Sequence, residues 1–285
     1  MNVTNNTPFE FIALPGYDKD GREVLTNIVK GTFSIHGNRT LKIADLQTPI
    51  TMADEHWGDP GTSPVRYESD LALFKPTTDL ILIGSAYHPK GEKTKKIEVV
   101  FGGGSKKKRE TVECSEARAR IPLDFPDSNG LNNGWFTPEN LGKGFGFYPK
   151  QYKPRVDYAG TYDERWKKDR FPFLPIDFDY RFFQGAYPEL IADRYFKGNE
   201  RVFAESVSPR GPIVVDLPGI DIEIESLFER KTMQSKALLD TVILEPDQNG
   251  FFLVWRQMVP CQGIVKDLQG FRITMSKVSS SHIFR

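Results

Sequence analysis

The chain has 285 residues, with 38 basic and 38 acidic side chains, so its formal net charge at pH 7 is zero. This balance excludes a bulk electrostatic attraction to nucleic acid or to an anionic membrane. Aromatic residues make up 12% of the chain, which also holds 24 glycines and 20 prolines, a composition typical of short strands joined by structured loops. The polar N-terminus, together with the lack of an apolar run near ~20 residues, predicts a cytoplasmic protein.

The first third of the sequence predicts short strands separated by turns. The stretch 17–21, YDKDG, has the composition of a hairpin turn. Apolar and polar residues alternate over residues 29–36, which favours a strand with one buried face. Prolines and glycines punctuate the later segments and set their ends. Strands are predicted at residues 9–14, 29–36, 80–87 and 97–101.

Residues 102–109, GGGSKKKR, are predicted to form an exposed hairpin tip with a basic end. Two other interpretations stay open at this point. A phosphate-binding loop would need its Gly-Lys-Ser/Thr to open a helix, and four consecutive cations are also found in nucleic-acid-binding or nuclear-targeting arms. The residues that follow look like a strand, which favours the hairpin.

The middle of the chain changes character. Between residues 122 and 160 the periodicity disappears, and Pro, Gly, Asn and aromatic residues dominate. Ordered loops of this length are usually functional or buried against a partner. We therefore predict an N-terminal β lobe at residues 1–121, a connecting aromatic loop at 122–160, and a C-terminal β lobe at 161–285. The predicted fold is a mainly β, two-lobed protein of antiparallel sheets with a few short helices.

Two short helices are predicted after this loop. Thr161 is the expected N-cap of the first, because Glu164 follows three residues later as in a capping box. Pro172 and Pro175 limit its length. The second is predicted from Pro188 towards Phe196, where apolar residues can share one face. Beyond it, residues alternate with period two, which predicts strands around residues 220–225, 251–256 and 271–276.

The sequence offers little catalytic chemistry. The four histidines are scattered, Cys114 and Cys261 are far apart, and no Gly-x-Ser-x-Gly nucleophile elbow is present. We therefore predict no metal, no cofactor and no enzymatic activity. The rival interpretation is a carbohydrate-active β protein that uses Asp177 and Asp179, which would share one face of a strand. Arg181 would lie on the same face, which favours an ion-pair ladder instead.

Several motifs resemble one bacterial family of unknown function. They include YESD at residues 67–70, KPTTD at 75–79, GTYDERW at 160–166, LDT at 239–241 and VWR at 254–256. The genes of that family lie beside those for the type VI secretion spike proteins VgrG and PAAR. The resemblance implies an adaptor or chaperone that binds the PAAR-like N-terminal region of an effector and promotes its loading on VgrG. An exported structural component of the spike is a further alternative.

Candidate partner-binding residues combine these motifs with the residue types that contribute most binding energy at interfaces, namely Trp, Tyr and Arg. The cluster around YESD is also compatible with a salt-bridged loop packed on a sheet edge. Trp255 alternates with apolar neighbours and is expected in the core. The predicted partner-binding residues are Tyr67, Asp70, Lys75, Trp135, Phe136, Tyr162, Arg165 and Trp166.

Overall fold

A computed structural model of the protein is dominated by β-strands, which confirms the mainly β class. Its helices are few and short, also as predicted. Trp135, Phe136 and Cys114 lie outside the described residues, as do residues 124–143, about half of the predicted aromatic loop. The structure describes residues 2–36, 40–60, 63–88, 96–113, 120–123 and 144–276.

The described residues form seventeen strands. In the first half of the chain these are β1 (Asn2–Asn5), β2 (Glu10–Tyr17), β3 (Glu23–His36), β4 (Thr40–Ile43), β5 (Glu55–His56), β6 (Val65–Tyr67), β7 (Asp79–Leu82), β8 (Ser85–Tyr87), β9 (Lys96–Gly103), β10 (Lys106–Glu113) and β11 (Arg120–Pro122). In the second half they are β12 (Arg201–Glu205), β13 (Ile213–Asp216), β14 (Ile222–Phe228), β15 (Thr232–Glu245), β16 (Gly250–Pro260) and β17 (Leu268–Met275).

The largest element is a nine-stranded sheet with the order β1-β17-β14-β15-β16-β3-β2, to which β4 adds beside β3 and β7 beside β15. Most neighbouring strands are antiparallel, but β1 runs parallel to β17 and β7 runs parallel to β15. The sheet is therefore mixed rather than purely antiparallel. A four-stranded sheet with the order β10-β9-β12-β13 and two small strand pairs complete the set.

The predicted lobes share this large sheet. Strands β1, β2, β3, β4 and β7 come from residues 1–121, whereas β14 to β17 come from residues 161–285. The four-stranded sheet likewise pairs β9 with β12. Backbone hydrogen bonding thus joins the two sequence regions instead of separating them.

The centre of the large sheet is covered on both faces. Strands β3 and β16 pair along eleven residues, and β3 is buried at consecutive positions from Val24 to Phe33. The one-sided burial expected from the alternation at residues 29–36 is therefore wrong. Trp255 lies in this core, 2% exposed and stacked on Phe9 with ring centroids 5.5 Å apart, as expected.

The helices differ from the sequence expectation in detail. Helix α1 covers Glu164–Asp169, and its N-cap is Asp163, whose side chain accepts the backbone N–H of Trp166. Thr161 is not the cap, because its hydroxyl donates to Asp177 instead. The helix predicted from Pro188 is only a short 3-10 turn, Pro188–Leu190, since the chain turns there to form isolated bridges with other strands.

Candidate partner-binding surface

The YESD and KPTTD motifs lie against the large sheet, and their side chains pair with distant strands. The Tyr67 hydroxyl donates to Glu245 at 2.5 Å, and burial together with that carboxylate raises the pKa of Tyr67. Asp70 accepts from Lys30 at 2.8 Å, and both residues are buried. Lys75 donates to the fully buried Asp79 at 2.9 Å. Each of these three predicted partner-binding residues thus has at least one polar partner within the chain.

The same motif holds a long irregular segment in place. We call residues 148–187 the arm. Arg155, 4% exposed, donates to Glu68 at 2.6 Å and to the carbonyls of Tyr148 and Phe182 at 2.5 and 2.8 Å. Lys150 lies 3.0 Å from the same Glu68 oxygen. One buried guanidinium therefore fixes two parts of the arm to the motif, and it leaves none of those carbonyls unpaired.

The far end of the arm touches the sheet at Gly185. Its backbone N–H donates to Asp79 at 2.7 Å, and its carbonyl accepts from Tyr148. A side chain at this position would place a Cβ atom 2.6 Å from a Glu68 oxygen and 2.9 Å from the Phe147 ring. Only glycine allows this approach, so the arm and the motif are packed at backbone distance.

Helix α1 and its flanks present a group of aromatic side chains to solvent. Tyr162 and Trp166 meet edge to face at 4.7 Å between ring centroids, and Phe171 meets Trp166 at 5.8 Å. The Trp166 indole donates to the carbonyl of Phe173 at 2.8 Å, and Phe173 meets Tyr17 of β2 at 5.1 Å. These five residues form a continuous strip, which we call the aromatic surface.

Much of the aromatic surface is open to solvent. Tyr17, Tyr162 and Phe171 are 51%, 53% and 67% exposed. Arg165, on helix α1, is almost fully exposed, and its contact with Asp169 is a long 3.9 Å. Exposed apolar strips of this kind mark interaction sites in soluble proteins, and Tyr, Trp and Arg are the side chains that dominate interface energetics. The structure thus brings together three of the predicted residues, Tyr162, Arg165 and Trp166.

Asp177 and Asp179 do not share a strand, contrary to the premise of the carbohydrate-active alternative. Asp177 accepts from the backbone N–H and hydroxyl of Thr161, which lower its pKa. Asp179 caps the 3-10 helix Tyr180–Phe183 and pairs with Arg181, which lowers its pKa. A general acid needs a raised pKa. Asp179 therefore forms a structural ion pair, in a helical turn rather than in a ladder, whereas Asp177 is held by the uncharged Thr161.

Sequence reasoning missed the residues that position this surface. Arg155 has no motif around it, and its role depends on Glu68, which is 87 positions away in the chain. Phe171 and Phe173 flank a proline in a charged segment, which is a weak signal for exposed aromatics. Tyr17 was assigned only to a turn. None of these contacts follows from local spacing.

Two general features complete the description. Within the described part of the chain, no group of three His, Cys, Asp or Glu residues is arranged to hold a metal ion. No helix there has the length and apolar character required to cross a membrane.

The comparisons with known proteins assign the chain to a family. Residues 20–116 and 136–256 fit the model of a family described as an uncharacterized protein conserved in bacteria, DUF2169. The matched ranges include the YESD and KPTTD motifs, the arm and the strands that pair with them. No curated protein and no solved structure matches the chain. On this evidence the chain belongs to the DUF2169 family of bacterial proteins.

Proposed function

We propose that this protein is an effector adaptor of type VI secretion. In this proposal it binds the PAAR-like N-terminal region of an effector, keeps that region soluble, and promotes its loading on VgrG. The link to secretion rests on the sequence resemblance. The observation that supports a binding role is the aromatic surface, an exposed strip formed mainly by the arm. The buried Arg155–Glu68 ion pair and the Gly185–Asp79 hydrogen bond hold the arm in place.

The physical arguments favour a protein partner. With a net charge of zero, the chain must select its partner by local shape and chemistry rather than by its overall field. Helix α1 contributes Trp166 and Arg165, and the other rings of the strip surround them. Aromatic residues together with Arg are the combination enriched at interface hot spots. The arm that carries it is anchored by Arg155, so little conformational entropy is lost when a partner binds. An adaptor that binds its folded client lowers the free, aggregating population by mass action.

Co-purification of the tagged protein from cells that express the neighbouring genes tests the proposal. The informative variant replaces Tyr162 and Phe171 by serine, because both are exposed and their loss leaves the core intact. Each hot-spot truncation costs about 2 kcal/mol, so the effector should bind at least roughly thirtyfold more weakly. Leu46→Ser, at a residue that is 87% exposed, is the matched control and should bind normally.

Two outcomes would contradict the proposal in different ways. If the serine variant binds the effector as tightly as the wild type does, the aromatic surface is not the interface. Failure of the wild-type protein to bind any neighbouring gene product, with effector levels unchanged in a deletion strain, would refute the adaptor role. Deletion should lower secretion of the cognate effector while secretion of the tube protein stays normal. Export of this protein together with the effector would instead favour the structural spike component.

A further inference from the structure

A β-bulge in β15 aims a buried carboxylate away from the strand ladder. Leu239 pairs with Trp255 and Thr241 pairs with Val254, so Asp240 is an extra residue between them. Bulges of this kind redirect side chains and are frequent next to functional sites. Asp240 is 1% exposed, and its carboxylate accepts from Arg256 at 2.5 Å and from the Thr241 hydroxyl at 2.8 Å.

Arg256 on β16 is also buried, at 4% exposure, and is not fully paired. Its Nε donates to Asp240, and its Nη1 donates to the carbonyls of Asp70 and Ala72 at 2.8 and 2.6 Å. Among the described residues, Nη2 has no hydrogen-bond partner. A guanidinium carries five N–H donors, and Nη2 is not one of the fully buried side-chain atoms that lack a hydrogen-bond partner. It is therefore open to solvent, and its N–H groups are available to an acceptor from outside the chain.

A cavity of about 230 Å³ opens beside this pair. Phe74, Leu238 and Met258 supply its apolar walls. Its charged lining consists of Lys75, Lys236, Asp240 and Arg256. Lys75 donates to Asp79 and to Thr241, both at 2.9 Å, which leaves the third N–H of its ammonium group without a partner in the described chain. At ~30 Å³ for each water in the liquid, the volume accommodates a ligand of roughly seven or eight non-hydrogen atoms.

We propose that this cavity binds a small monovalent carboxylate with a short apolar tail. The carboxylate oxygens would accept the unused N–H groups of Arg256 and Lys75, in charge-assisted hydrogen bonds. The tail would lie against Phe74, Leu238 and Met258. A phosphate dianion fits less well, because the lining cations already have carboxylate partners, Asp240 for Arg256 and Asp221 for Lys236, and would not compensate a second negative charge. The carboxylate belongs either to a free organic acid or to an acidic side chain of a peptide, which offer the same chemistry.

Methyl NMR of the full-length protein tests the site directly, because Met258 lines the cavity and is one of five methionines. The probes are hexanoate, its neutral analogue hexanamide, and N-acetylglutamate N-methylamide. Hexanoate should shift the Met258 methyl signal and bind about tenfold more tightly than hexanamide, as expected for a hydrogen bond to a charged partner. Tighter binding of the glutamate probe than of hexanoate would assign the carboxylate to a peptide side chain, and the reverse order would assign it to a free acid.

Arg256 variants would remove the support of the Asp70 and Ala72 carbonyls and risk misfolding. Leu238→Trp is the safer variant, because Leu238 is 39% exposed at the cavity wall and a larger ring there fills the space. It should abolish the hexanoate-induced shift while the remaining methionine signals stay in place. Leu46→Trp is the control at an exposed site outside the cavity lining and should bind normally. Equal affinity for acid and amide, no shift with any probe, or unchanged binding in Leu238→Trp would each overturn the proposal.

Discussion

The Arg155–Glu68 pair allows a quantitative test of how the arm is held. Arg155→Met keeps the length of the aliphatic side chain but removes the cation from a site where Arg155 is 4% exposed and Glu68 is 9% exposed. Removing one partner of a buried pair costs about 3–5 kcal/mol, because the other charge stays buried without compensation. Lys150, 3.0 Å from the same Glu68 oxygen, retains part of that compensation. We therefore expect the lower end, about 3 kcal/mol.

Urea unfolding followed by tryptophan fluorescence measures this loss. The matched control is Arg181→Met, which breaks an ion pair of 2.5 Å to Asp179 that is exposed to solvent and should cost less than about 1 kcal/mol. The double variant Arg155→Met, Glu68→Gln also removes the carboxylate that Arg155→Met leaves without its guanidinium partner. It should therefore recover part of the lost free energy of unfolding, as a coupling energy of about 1 kcal/mol or more. A loss below about 1 kcal/mol in Arg155→Met, equal to that of the control, would refute the reasoning.

Two further predictions concern the buried acid and the hairpin. Complete burial raises the pKa of Asp79, so the folded state binds this proton more tightly than the unfolded chain. The contribution of Asp79 to stability therefore falls as pH rises above about 4. Between pH 4 and 7, the free energy of unfolding of the wild type should decrease relative to that of Asp79→Asn. A relative increase would contradict this prediction. In Gly102→Ala, the new Cβ would meet the Lys106 carbonyl at 2.2 Å, so thermal unfolding should show a loss of about 2 kcal/mol or more. Gly58→Ala, with its nearest contact at 3.6 Å, should be neutral, and equal melting temperatures for the two would reject the clash.

The sequence predicted what depends on local pattern. The alternation at residues 220–225 appears as β14, with buried and half-buried positions alternating, and the turn before Arg22 forms where Asp18 accepts two backbone N–H groups. Trp255 was placed correctly in the core, because an apolar strand with an indole is seldom exposed. These features need only nearest-neighbour information.

What the sequence could not predict depends on distant pairing. Alternation at residues 29–36 indicated one polar face, yet Lys30 is buried because Asp70 and Thr51 satisfy its charge and protons. Residues 176–183 have strand-like composition, but Asp179 caps a 3-10 turn instead. Local propensity is overridden in both places by partners far along the chain. The same limit applied to the arm, since no spacing rule links Arg155 to Glu68.

The position of β3 between β2 and β16 has a consequence for synthesis of the chain. The β2–β3 hairpin can form early, but its other edge pairs with residues 250–260. At roughly 5–20 residues per second on the ribosome, the intervening stretch of about 220 residues takes about 10–45 s to emerge. During that interval β3 has an open edge, the feature that most readily pairs with other chains. Nascent chains of this protein should therefore depend on ribosome-associated chaperones more than nascent chains of a protein whose strands pair only with their neighbours in sequence.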